Sequence, residues 1–222
     1  MNFTADLFPR DWLGLSALLS LLVLLFCLWR TPWRKLDSRL LNAGMGATLV
    51  VLALWLLHGG LHDGLSFHLL GAAILTLMLG PWLALPALAL VLLAVSMLGL
   101  GQWQAFGMNF LTMALLPVGL VHGVWRLSRR YLPANYFVYL FVCAFAAGGA
   151  SLLLSTLASC VALMLVGAYA TDFLLNEVLP FYFLLSWSEA FTTGLAMAVL
   201  TVYRPAWVVS FDDATYLGKR GD

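Results

Sequence analysis

The eleven Lys and Arg residues of this 222-residue chain stand at or beyond the ends of long apolar runs, and ten of them gather on alternate connections between those runs. Arg30, Arg34, Lys35 and Arg39 occupy the first connection, Arg126, Arg129 and Arg130 a later one, and Arg204, Lys219 and Arg220 the tail. Arg10 alone stands elsewhere. A cationic side chain at the centre of a bilayer costs on the order of 2.5–3.5 kcal/mol by insertion scales, whereas cytoplasmic loops collect Lys and Arg. The pattern restricts the chain to an all-α, polytopic membrane protein and gives it an expected orientation.

With 63% hydrophobic and 9% charged residues, the chain carries more apolar surface than a soluble core could use. A bilayer core of about 30 Å takes roughly 20 helical residues per crossing. The expected crossings are 12–29, 42–58, 66–80, 82–100, 108–128, 136–167 and 180–203, seven transmembrane helices in a single domain over 1–222. An odd number puts the basic connections and the C-terminus in the cytoplasm and the N-terminus outside. The expected setting is a bacterial inner membrane, multi-pass and in contact with lipid. A net charge of +1 spread over three loops speaks against a nucleic-acid partner.

Gly80-Pro81 predicts a tight break between the third and fourth runs. The sixth run is too long for one upright crossing and carries Ala147-Gly148-Gly149-Ala150, which predicts one bent helix or two shorter segments, the single helix being preferred on parity. The connections 58–66, 101–107 and 168–179 are expected outside, the last with Asp172 and Glu177. Cys27, Cys143 and Cys160 each lie within an apolar run without C-x-x-C spacing and read as packing residues. Asp6 and the absence of a basic leader or small-residue cleavage site predict that Met1 stays on the mature chain.

The densest polar cluster expected outside is His58-Gly-Gly-Leu-His62-Asp63-Gly-Leu-Ser66-Phe-His68. Imidazoles suit Ni, Co, Zn and Cu, so three of them and a carboxylate could surround one ion, or they could face water in an interfacial loop. Glu189 is the acidic residue well inside a run, and an intramembrane carboxylate turns toward the bundle interior, as a hydrogen-bonding hub or as part of a ligand path. No G-x-S-x-G, H-E-x-x-H or Walker A sequence appears, so no enzyme is expected.

The order of motifs resembles the CbiM/NikM permeases, the substrate-binding components of cobalt and nickel energy-coupling-factor transporters. His68 is followed by Gly71 and by Gly80-Pro81-Trp82, and the next outer loop runs into Gly107-Met-Asn109-Phe-Leu-Thr112-Met113. Leu7-Phe8-Pro9 with Trp12, and Glu189-Ala190, also resemble the family. The resemblance implies an N-terminus folded back into the bundle. It implies a divalent ion held by the terminal amine, by the amide and imidazole of a histidine at position two, and by a histidine ahead of the Gly-Pro-Trp turn. Carried over, Met1 offers the amine, His68 is the second histidine, and Asn109 with Thr112 supports the ligand loop. The chain departs from the family at Asn2, which stands where the histidine is expected, and at Ala5 and Asp6.

The expectation is therefore a substrate-binding membrane component of an energy-coupling-factor ABC transporter that takes up Ni, Co or possibly Zn from the outer face. His68, His58, His62, Met1 and Asp63 are candidate ligands, with Asn2, Asn109 and Thr112 behind them and Glu189 a packing carboxylate. A coupling membrane subunit and cytoplasmic ATPase subunits are the implied partners. The alternatives are a non-transporting sensor or assembly subunit on the same scaffold and, less favoured, a membrane enzyme using Glu189 and an outer histidine.

Overall fold

The structure, a computed structural model, describes residues 1–60 and 65–218. Its helices are α1 (Arg10–Arg30), α2 (Ser38–Leu56), α3 (Ala72–Leu79), α4 (Pro81–Met97), α5 (Trp103–Tyr131), α6 (Tyr136–Leu165), α7 (Thr171–Tyr203) and α8 (Asp213–Leu217). Two short strands, β1 (Gly59–Gly60) and β2 (Ser66–Phe67), pair antiparallel in the connection between α2 and α3. Five helices, α1, α2, α5, α6 and α7, are long and apolar enough to cross a membrane, and α4 is a shorter apolar helix. The protein is an all-α, polytopic membrane protein.

Polarity runs inside out, as lipid requires. Helix α1 buries Ser16, Ser20 and Cys27 and turns Leu15, Leu18, Leu22 and Leu25 outward. The buried serines allow a close approach to α5: Ser20 Oγ donates to Gly107 O at 3.2 Å, and a Cβ on Gly107 would stand 2.5 Å from the Ser16 carbonyl carbon. Small residues letting backbones meet are the usual device for helix association in lipid. Gly148 and Gly149 serve α6 in the same way, facing Thr193, Ser186 and Ala190 of α7.

Proline sets the local form of the long helices. A proline inside a helix donates no hydrogen bond and crowds the carbonyl four residues back. In α5 and α7 a π-helical stretch, Leu111–Leu115 and Leu174–Val178, ends two residues before Pro117 and Pro180, so a wider turn takes up the misfit. In α4, Pro86 leaves the Trp82 carbonyl without its helical donor, and the Thr31 hydroxyl points at that oxygen from 3.5 Å.

Helix α3 is the centre of the molecule. It has 8 residues, about 12 Å of helix, and all except Ile74 are buried. Gly80, at φ +75°, joins it to α4 with no loop, and Pro81 opens α4. The C-terminal segment returns to close its lower end. Val209 N–H donates to Met78 O at 3.0 Å and Ser210 N–H to Leu77 O at 3.1 Å. Ser210 Oγ also donates to Leu77 O at 2.8 Å, and Trp125 Nε1 donates to Ser210 O at 2.9 Å. Phe211 and Tyr216 stack at 5.2 Å beside Tyr139 and lock the returning tail against α6.

Two expected boundaries differ. The third run is helical only from Ala72, because Gly71 adopts φ +62°, a left-handed conformation that an L side chain resists, and stops the helix there. The last helix begins at Thr171 rather than at 180, so Asp172 and Glu177 lie on its first turns instead of in a loop; the π turn lets the helix run through Pro180. The sixth run is one helix, with a π stretch over Tyr139–Ala146 ahead of the glycine pair.

Candidate functional site

The first eight residues and the connection ahead of α3 form two straps that meet inside the bundle. Met1 is buried and Phe3 fully so. Asn109 on α5 holds the first strap like a paired strand: Phe3 N–H donates to Asn109 Oδ1 at 2.7 Å, and Asn109 Nδ2 donates to Phe3 O at 3.0 Å. Gln102 adds a third clamp by accepting from Ala5 N–H at 2.7 Å, and Asn2 Nδ2 donates to Leu100 O at 3.0 Å. Thr112, also buried, bonds back to Met108 O at 2.9 Å within the turn that carries Asn109.

The second strap carries His68 and is fixed by three side chains from the surrounding helices. Tyr182 Oη donates to Ser66 O at 2.8 Å, and Trp55 Nε1 donates to Leu70 O at 2.9 Å. Glu189, 1% exposed on α7, takes Leu70 N–H and Gly71 N–H, each at 2.8 Å. Those amides lie just ahead of α3, so the carboxylate closes its N-terminal end where helix partial charge favours an anion. Through these two bonds one buried carboxyl group ties α7 to the strap that carries His68.

His68 is 7% exposed and packs on the Trp55 ring with centroids 4.7 Å apart. Its Nδ1 lies 3.0 Å from Leu69 O, and a carbonyl partner assigns the proton to Nδ1. The Nε2 lone pair is then the one available to a ligand, with the tautomer set by the backbone.

The Met1 amine and the His68 imidazole lie close enough that the charge of the amine acts on the ring. Burial pushes the amine down to about 5. Burial, together with that neighbouring amine, pushes the imidazole down to about 3. Both groups are neutral at neutral pH, the form in which nitrogen binds a metal. Cys160 of α6 also faces this region, since its thiol and the terminal amine act on each other.

The structure therefore brings together Met1, Asn2, His68 and Asn109, with Thr112 behind them and Glu189 anchoring the His68 strap. His58 stands apart at the end of α2: it is exposed, with Nδ1 3.2 Å from Leu56 O. The β1–β2 register, continued by one residue, sets it opposite His68, and its charge reaches the His68 ring. His62 and Asp63 lie outside the described residues. Among the described residues no three His, Cys, Asp or Glu side chains converge on one point. Gln102, Trp55 and Tyr182 escaped the sequence reading because a clamp to backbone has no spacing signature.

No curated protein matches the sequence. Solved structures of transition metal transporters share the fold. A truncated transition metal transporter superposes with a TM-score of 0.81 at 19% identity, covering 91% of this chain and 99% of the other. A transition metal transporter superposes with a TM-score of 0.80 at 18% identity, covering 91% and 93%. The family model for the cobalt uptake substrate-specific transmembrane region matches residues 2–207. With nearly its whole length matched, the chain belongs to the CbiM family, whose members are membrane transport components and not enzymes.

Proposed function

We propose that the protein captures a divalent transition metal ion from the outer face of a bacterial inner membrane, as the substrate-binding component of an energy-coupling-factor type transporter. The observation that carries this reading is the pairing of a buried terminal amine with a buried histidine whose Nε2 is left available. Two neutral nitrogens from opposite ends of separate straps form the beginning of a metal site and have no evident structural purpose. The outward orientation of the straps is supported by the basic residues, since Arg30, Arg34, Lys35, Arg39, Arg126, Arg129, Arg130 and Arg204 belong to connections other than those that carry the straps. Energy would come from cytoplasmic ATPase subunits acting through a coupling membrane subunit, since the chain carries no nucleotide-binding sequence.

The ion is substrate, and the residues have separable tasks. Met1 and His68 bind it, Asn109 and Gln102 keep the amine in place, and Trp55, Tyr182 and Glu189 keep the imidazole in place. The exposed His58 stands at the mouth and would meet an entering cation first.

The test is metal binding by the purified chain, with Met1 as its first residue, measured for Ni(II), Co(II) and Zn(II) by equilibrium dialysis. Stoichiometric binding that is lost in His68→Ala is the expected result. Binding that survives His68→Ala, or none to any ion, would defeat the reading.

A further inference from the structure

Two cavities meet at the corner where Gly80 joins α3 to α4. The smaller, of about 280 Å³, has Leu36, Gly80, Trp82, His122, Trp125 and Ser210 in its walls. The larger, of about 570 Å³, is an open groove between α2 and α4, with Leu41 and Leu83 at one end and Leu52 and Ala94 at the other. Leu79 and Leu83 belong to both walls, so the two spaces are neighbours. The groove suits hydrocarbon, because the polar side-chain atoms in its walls are already used. Thr48 Oγ1 donates to Gly44 O at 2.7 Å, and Trp33 Nε1 donates to Leu28 O at 2.8 Å. From Leu41 to Leu52 the helix rises about 16 Å, half of a bilayer core of about 30 Å. A groove of that depth, beginning where α2 leaves the first basic connection, matches a single leaflet. A membrane-crossing helix of another protein would call for contact through both leaflets.

The smaller cavity carries positive charge on its walls. The Arg30 guanidinium lies over the Trp82 ring at 5.7 Å, the Arg129 guanidinium lies over the Trp125 ring at 5.2 Å, and the charge of Arg126 reaches His122. All three arginines are exposed. The carboxylates on this side are engaged with backbone: Asp37 accepts from Arg39 N–H at 3.0 Å, and Asp212 accepts from Thr215 N–H at 2.9 Å and from the Thr215 hydroxyl at 2.6 Å. Asp212 also feels the Arg129 charge. Three guanidinium groups from two separate connections thus attend one cavity. Basic pockets between helices at a membrane surface take anionic lipid head groups.

We propose that this corner holds one anionic phospholipid, with its phosphate among Arg30, Arg126 and Arg129 and an acyl chain in the groove between α2 and α4. The site is separate from the two straps and goes beyond the metal reading. A lipid seated there joins the first connection, the α3–α4 corner and the end of α5 into one surface.

The experiment uses the purified full chain, delipidated in detergent, with phosphatidylglycerol, phosphatidylcholine of the same acyl chains, and inorganic phosphate as probes. Native mass spectrometry counts bound lipid, and the melting temperature is read alongside. The wild-type chain is expected to retain one phosphatidylglycerol and to melt higher with it, while phosphatidylcholine and phosphate do neither. Arg30→Gln combined with Arg129→Gln is expected to weaken phosphatidylglycerol by about tenfold or more. Arg130→Gln combined with Arg204→Gln removes two charges that lie over Tyr131 and Trp207 instead, and is expected to keep it. Thr48→Phe, which fills the groove, is expected to weaken it as well, with the melting temperature of the lipid-free protein unchanged. Equal retention of the two lipids, equal loss in the two double variants, or unchanged binding in Thr48→Phe would each overturn the proposal. A melting shift from inorganic phosphate equal to that from the lipid would overturn it too, by making the corner a site for anions alone. None of these variants alters Met1 or His68, so the outcome is independent of the metal test.

Discussion

Glu189 and Gly71 lie 118 positions apart in the chain and are joined by a 2.8 Å hydrogen bond from the Gly71 amide to the Glu189 carboxylate. Its twin from Leu70 means that one side chain of α7 both closes α3 and fixes the strap that carries His68. Replacing Glu189 by Gln leaves one backbone N–H facing the side-chain amide NH2, a second donor, instead of an oxygen. The expected loss is about 1.5–3 kcal/mol, the scale of a charged hydrogen bond, and Glu189→Ala should cost more because two buried donors lose their partners. Unfolding of the variants in mixed micelles measures this, and hydrogen exchange at 66–72 should rise in both. Wild-type stability and protection in Glu189→Ala would show that the carboxylate is dispensable.

Gly107 and Gly119 provide a matched pair on α5. A Cβ at Gly107 would run into Ala17 N and the Ser16 backbone, atoms that cannot rotate aside, whereas Gly119 has open space around it. Gly107→Ala is expected to destabilise by about 1–3 kcal/mol through overpacking. Gly119→Ala should be neutral or stabilising by up to about 1 kcal/mol from helix propensity. Melting temperatures of the two variants in one detergent decide the matter, and equal shifts would count against the close α1–α5 contact.

Asn109 never needs to touch the ion to govern its capture. Asn109→Ala removes both bonds to Phe3 and should release residues 1–8 from the bundle, seen as faster hydrogen exchange at Phe3 and Ala5. Metal affinity is expected to fall about 10–100-fold, the usual effect of removing a group that positions a ligand. Unchanged exchange in the first eight residues would mean that the strap is held without it.

Ser210 closes the other end of α3. Ser210→Ala deletes its hydroxyl bond to Leu77 and leaves the Tyr139 hydroxyl, 2.7 Å away, without its partner. A loss of about 1–3 kcal/mol is expected for the unpaired buried polar group. Ser210→Thr, which keeps the hydroxyl, should recover part of it. If Ser210→Ala matched wild type in the same unfolding assay, the tail would be only resting against α3.

The long helices were legible in the sequence because lipid imposes a length and an exclusion of charge that residues 12–29 or 136–167 obey without help from the rest of the chain. The hairpin at Gly80-Pro81 was legible because it rests on local backbone chemistry. The short helix was not. Residues 66–80 form one apolar run, and nothing in it says that its first part is extended; that is decided by Gly71 with Glu189, more than a hundred positions away. Met1, His68 and Asn109 were singled out through motif order rather than spacing. The grouping of His58 with His68 rested on nearness in sequence; His58 is exposed and His68 buried. Conversely, the bond from Asn2 to Leu100 is visible only in the folded chain, and at the level of sequence Asn2 reads simply as a missing histidine.

A helix of 8 residues whose N-terminal end is closed by amides donating to position 189, and whose other end accepts hydrogen bonds from positions 209 and 210, cannot be completed in the order in which the chain is made. When residues 66–80 leave the ribosome, the groups that finish them have not yet been synthesised. The long helices can enter the bilayer one after another, but α3 must wait, held open or shielded, until the last part of the protein arrives. Ordering of the histidine strap is therefore a late event in biogenesis, and a chain interrupted after α6 would be inserted in the membrane with its binding loop unformed.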